Sequence, residues 1–176
     1  MKFSRRHELQ ISDIEIAKKS VKIGIFGSFQ RIELLKKCRE HLISKGYIHT
    51  KLSLDLEEKF PKKMHETDDE YNLRISEQLI ETSDIHIIYL CEPKDSDKVP
   101  VNESAIQEYI IISNLKKTNK ILVLIQEESI FAALTRGLIA RNQKSIKHMD
   151  FINLKNTFKI VSHHCFECVT VNKNSS

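Results

Sequence analysis

Two short apolar runs, Ile85 to Leu90 and Ile121 to Ile125, stand out because each is β-branched and bounded by polar residues. Such runs predict strands buried on both faces, as inside a parallel sheet. Val21 to Phe26 has the same character and breaks at Gly27-Ser28-Phe29. Tyr47 to Leu56 alternates more loosely and predicts a strand at or near an edge. Between these runs the spacing is helical. Ile32, Leu34, Leu35, Cys38, Leu42 and Ile43 share one face that ends at Lys45-Gly46, a basic last turn with a glycine stop. Thr67 followed by Asp68, Asp69 and Glu70 marks a capped helix start, and Tyr71, Leu73, Ile75, Leu79 and Ile80 carry that helix to Thr82-Ser83. Further helices are predicted from Glu103 to Lys117 and around Ile130, Phe131, Leu134, Leu138 and Ile139. Lys147 to Asn156 has no regular pattern, and Phe158 to Val171 is expected to form the last strand.

Strands and helices therefore alternate. The pattern predicts a three-layer, flavodoxin-like α/β fold with a five-stranded, mainly parallel sheet in the order 2-1-3-4-5. Residues 1–20 read as an N-terminal extension with one short helix around Ser12 to Ser20. Residues 21–171 form a single α/β domain, and 172–176 a polar tail. At 176 residues the chain suits one sizeable core.

Charge and composition narrow the function classes. The net charge of +4 is spread along the chain, without the concentrated basic face that nucleic-acid binding wants. Arg5, Arg6, Lys18, Lys19 and Lys22 read as a solvated edge. No run approaches the roughly 20 apolar residues of a membrane helix, and no apolar signal core follows the basic start. The expectation is a cytoplasmic protein without a membrane partner. Its four cysteines are then read as reduced, with Cys38 and Cys91 as small buried side chains.

The candidate chemistry lies where strands end. In the order 2-1-3-4-5 the chain reverses between the first and third strands, so Gly27-Ser28-Phe29 and the loop 91–103 flank one crevice. Gly27 allows close backbone approach, and Ser28 stands at a helix start that can receive an anion; a tight turn with a serine cap is the plain alternative. Glu103 and Glu108 enter the first turns of the next helix. A carboxylate at Glu108 can attack an anomeric carbon or stabilise the cation formed as a glycosidic bond breaks. Its plain alternative is a solvent-facing helix acid. Asp69, Asn72 and Arg74 lie on a helix whose start can reach the crevice; Arg74 can pair with a phosphate, and its plain alternative is an exposed pairing with Glu70, Glu77 or Gln78. Gly137 would permit close helix packing beside Arg136. His163, His164, Cys165 and Cys168 have half the spacing of a zinc site, but a strand would divide them between two faces, so core cysteines are expected and no metal is assigned.

These pieces together resemble the nucleoside 2-deoxyribosyltransferase-like superfamily and, more distantly, TIR-type domains. The resemblance is carried by Lys22 to Phe29, the helix 71–83, the strand Ile85 to Leu90, Ser104 to Tyr109 and Lys120 to Ile125. It implies a nucleoside or nucleotide ligand and N-glycosidic cleavage or deoxyribosyl transfer without a cofactor. Glu108 would be the catalytic glutamate, and Gly27, Ser28, Phe29, Asp69 and Glu103 the ligand-binding residues. A non-catalytic nucleotide-binding or signalling module is the alternative. The aliphatic helix from Ile106 to Leu115 also offers a surface for a homo-oligomer.

Overall fold

The computed structural model describes residues 2–91, 101–117 and 120–170. Five parallel strands form one sheet in the order β2-β1-β3-β4-β5: β1 Lys22–Phe26, β2 His49–Lys51, β3 Ile85–Leu90, β4 Ile121–Gln126 and β5 Lys147–Phe151. Six helices connect and cover them: α1 Lys2–Ser20, α2 Ile32–Ser44, α3 Asp68–Thr82, α4 Glu103–Ser113, α5 Ala133–Asn142 and α6 Leu154–Thr170.

The pleat of the central strands divides the core in two. Ile23, Ile25, Ile85, Ile87, Tyr89, Leu122 and Leu124 face α2 and α6. Phe26, Ile88, Leu90, Ile121, Val123 and Ile125 face α3, α4 and α5. Successive residues of one strand thus enter opposite layers, and every residue of β3 is buried. This is the three-layer sheet that the apolar runs predicted.

Local capping matches the sequence closely. The Thr67 hydroxyl accepts from the Glu70 N–H while Glu70 accepts from the Thr67 N–H, closing a capping box on α3. At the end of α2 the Tyr47 N–H reaches the Leu42 carbonyl and the Gly46 N–H that of Ile43. With φ 95° at Gly46, this is a Schellman stop that requires glycine.

The final third departs from expectation. The stretch expected as Phe158 to Val171 is not a strand: through Thr170 it belongs to α6, and Val171 lies outside the described residues. Its buried residues Thr157, Val161, His164, Cys165 and Val169 recur at helical spacing, which the short apolar runs had masked. The fifth strand is instead β5, in the stretch that seemed patternless. Lys147, His148, Met149 and Asp150 leave it largely open, as suits an edge strand. β5 is tied down by a buried relay. The Asn142 amide donates to the Tyr109 hydroxyl, so that hydroxyl donates in turn to His148 Nε2, and His148 Nδ1–H donates to the Ile146 carbonyl.

Other differences are smaller. The second strand is only three residues long, because a 3-10 turn takes over at Ser53–Leu56. The N-terminal helix spans Lys2–Ser20 and lies against α6, with Ala17 packed on the core. Gly137 does not mediate close packing: nothing lies within 4 Å of where its Cβ would be. Gly137→Ala is therefore expected to stabilise the protein by roughly 0.5–1 kcal/mol, the helix preference of alanine over glycine. A urea midpoint unchanged or lowered by this substitution would contradict the open environment of α5.

Candidate functional site

Gly27 follows β1 at the edge of a crevice at the carboxyl ends of β1 and β2, with Glu108 of α4 reaching in. The Gly27 φ of 158° is a conformation that side-chain-bearing residues rarely adopt, and the space beside it is tight as well. A Cβ there would stand 3.2 Å from the Tyr89 carbonyl oxygen and 3.3 Å from Leu35. The crevice is lined by Ile25, Phe26, Gly27, Phe29, Ile32, Leu35, Leu52, Ser53 and Glu108. Its volume is about 10 Å³, close to what one water needs.

Glu108 reaches this place because of helical phase. Ala105, Tyr109 and Ile112 form the buried stripe of α4, and position 108 falls beside them. The residue keeps some exposure, but its carboxyl end is enclosed. Oε1 accepts a hydrogen bond of 2.7 Å from the Ser76 hydroxyl on α3. Oε2 is buried without a hydrogen-bond partner. Burial pushes the carboxyl up to about 7, against the Ser76 hydroxyl and the nearby Gly27 N–H, which favour the ionised form. Desolvation wins, so protonated and ionised forms are comparably populated near neutrality.

The remaining expected residues divide. Phe29 is 58% exposed at the crevice mouth, where its ring is free to meet a flat ligand. Ser28 is buried, and its hydroxyl accepts from the Gln30 N–H, so it caps the 3-10 turn Phe29–Arg31. Asp69 and Glu103 lie in the exposed first turns of α3 and α4 and are not among the crevice-lining residues. Asn102, rather than Glu103, caps α4 by accepting from the Ser104 N–H at 2.8 Å. Of the loop 91–103, residues 92–100 lie outside the described residues. Arg74 does not pair with Glu70 or Glu77. It clasps both oxygens of Glu66 at 2.7 and 2.8 Å, and this holds the Glu66 carboxyl down to about 2. Arg136 donates to the Phe131 carbonyl at 2.6 Å.

Ser76 was not singled out from the sequence. It lies 32 residues from Glu108, and no local pattern distinguishes it from any half-exposed helix serine. Leu52 and Ser53 were likewise unmarked, because they arrive from the far side of β1.

Cys165 is buried in the core and Cys168 packs against it, as expected, but they lie on a helix and not on a strand. On α6, His164 and Cys168 are one turn apart with Nε2 and Sγ at 3.5 Å, while His163 turns outward to Glu167 at 3.2 Å. Among the described residues no three His, Cys, Asp or Glu side chains are arranged to hold a metal ion. Burial raises the thiols of Cys38 and Cys91 to about 12 and that of Cys168 to about 11, and drives Cys165 well above its ordinary value. Thiols held protonated in this way are poor nucleophiles. No helix among the described residues is long and apolar enough to cross a membrane.

No family model and no curated protein matches the sequence. Among solved structures the chain is similar to the CMP N-glycosidase BcmB of Clostridium botulinum, with a TM-score of 0.52 and 16% identity, covering 81% of this chain and 99% of that one. The two share a fold. At this identity the likeness extends to architecture and not to chemistry.

Proposed function

We propose that this protein cleaves, or transfers the sugar across, the N-glycosidic bond of a nucleoside or nucleotide. The observation that carries the reading is the Glu108 carboxyl, set beside Gly27 with one oxygen bonded to Ser76 and the other unpartnered. Such an acid is poised for a developing positive charge. As the bond from the anomeric carbon to the base breaks, its electron pair leaves with the base, which takes up a proton from solvent. The free Glu108 oxygen then supplies an electron pair to the anomeric carbon, as a covalent ester or as a stabilising charge. Attack by water, or by a ring nitrogen of a free acceptor base, forms the new bond to the anomeric carbon, loses its proton to solvent and displaces the carboxylate, which is restored. Ser76 holds the other oxygen and fixes the orientation.

The crevice is narrower than the roughly 300–1,000 Å³ of ordinary ligand pockets. A nucleoside therefore docks across its mouth, with the sugar toward Glu108 and the base against the exposed Phe29 ring. The shared fold with a CMP N-glycosidase supports CMP and related pyrimidine nucleotides as the first compounds to try.

Incubation with CMP, deoxynucleosides and other nucleotides is expected to release free base. Release should rise with pH through about 7 as Glu108 ionises, and Glu108→Gln should lower it by orders of magnitude. No release from any of these compounds would remove the proposal. One observation favours a second reading, a nucleotide-binding module: among the described residues Glu108 is the sole titratable acid or base lining the crevice. That reading expects CMP to raise the melting temperature without base appearing.

A further inference from the structure

A separate pocket of about 150 Å³ lies toward the start of β1, away from the Gly27 end. Its position follows from the sheet. β2 is a short edge strand, and its parallel register sets His49 beside Lys22 and Lys51 beside Gly24. The same face meets the end of α3, since a Cβ on Gly24 would strike the Ser83 hydroxyl. The chain after β2 then folds over the edge, bringing Lys59 and Phe60 to the rim.

The lining has one sign of charge. Lys22, His49, Lys51 and Lys59 contribute basic side chains, and among the described residues no Asp or Glu lines the pocket. Among the described residues Lys22, Lys51 and Lys59 form no ion pair with a carboxylate, in contrast to Lys18, Lys36, Lys62 and Lys147. The negative end of α3 also faces this region, worth about half an elementary charge. The Thr82 and Ser83 hydroxyls donate back to the Gln78 and Leu79 carbonyls, each at 2.6 Å, and so partly satisfy that helix end. Three lysines outweigh it. The floor is apolar through Leu56 and Leu79, and a volume near 150 Å³ is enough to admit one aromatic ring.

We infer that this pocket binds a small organic phosphate, with a ring-sized apolar body on the floor and the phosphate held by the lysines. It does not depend on the glycosidic reading of the Glu108 crevice. Long, exposed lysines bind phosphate as mobile point charges, so the affinity is modest and falls with added salt.

Isothermal titration of the full chain with phenyl phosphate, inorganic phosphate and benzyl alcohol tests this. Phenyl phosphate is expected to bind most tightly, inorganic phosphate more weakly, and benzyl alcohol not measurably. Lys51→Gln and Lys59→Gln should each weaken phenyl phosphate roughly tenfold, about the worth of one charge-assisted hydrogen bond. Glu108→Gln should leave it unchanged, which separates this pocket from the crevice. The inference is overturned if phenyl phosphate fails to bind at millimolar concentration, or if benzyl alcohol binds equally well. Binding that ignores the lysine substitutions, or that disappears with Glu108→Gln, overturns it too.

Discussion

Glu108→Gln is expected to flatten the pH dependence of stability between about pH 4.5 and 7, and to make the protein more stable than its parent at pH 8. Burial raises the Glu108 carboxyl from 4.5 to about 7 in the folded chain. The folded state therefore holds a proton that the unfolded state has released across this window. The contribution of Glu108 to stability is greatest below pH 4.5 and falls as pH rises, and its loss is complete just above 7. At about 1.4 kcal/mol per pH unit, the full cost of the buried charge is on the order of 3 kcal/mol. Glutamine cannot ionise, so it escapes that cost while keeping an oxygen for Ser76. Its amide nitrogen takes the place of the unpartnered Oε2, which reduces the net gain at pH 8. Urea midpoints of both proteins at pH 4.5, 6, 7 and 8 decide the matter: parallel curves would show that Glu108 is not the buried acid described. A protein that keeps such a penalty does so at functional sites more often than elsewhere, which links this measurement to the proposed chemistry.

The second large effect is expected at Gly24, in the middle of β1. A Cβ there would lie 2.5 Å from the Ser83 hydroxyl and 2.7 Å from the Phe26 ring. Neither neighbour yields readily. Ser83 is bound to the Leu79 carbonyl at 2.6 Å, and Phe26 is buried and stacked on His86 with ring centres 5.8 Å apart. His86 is itself held by the Ile80 carbonyl at 2.9 Å. Gly24→Ala should therefore cost about 1–3 kcal/mol, the usual range for overpacking a core. Removing the Ser83 hydroxyl relieves the shortest contact, so Gly24→Ala combined with Ser83→Ala should be less damaging than the two single changes added together. Strict additivity would mean that the strain lies elsewhere.

The two positions illustrate how far the sequence can be read. Gly24 sits inside the run VKIGIF, where a strand was evident, but nothing local says that Ser83, 59 positions later, occupies the space above it. Glu108 was legible as a candidate because it follows a strand and a polar loop. The alternatives for it, buried nucleophile or solvent-facing acid, differ only in the rotation of α4 against the sheet. Ser28 shows the opposite outcome, with its hydroxyl committed to the cap that was its plain reading.

What the sequence by itself determined is whatever depends on neighbours a few residues apart. The apolar runs of β1, β3 and β4, the capping box at Thr67 and the glycine stop at Gly46 were readable because hydrogen bonding and burial there follow period and local chemistry. The strand order also followed, since parallel crossovers leave few options. Tertiary structure alone decided the rest. β5 is a strand because β4 offers its edge and the Tyr109 relay anchors His148, despite a polar sequence of its own. α6 is a helix because its period matches the face left open beside α2. Glu108 became a buried acid with Ser76 and Gly27 as neighbours only when three separate elements met, since the energy of burying a charge is set by everything around it and not by the residues beside it in the chain.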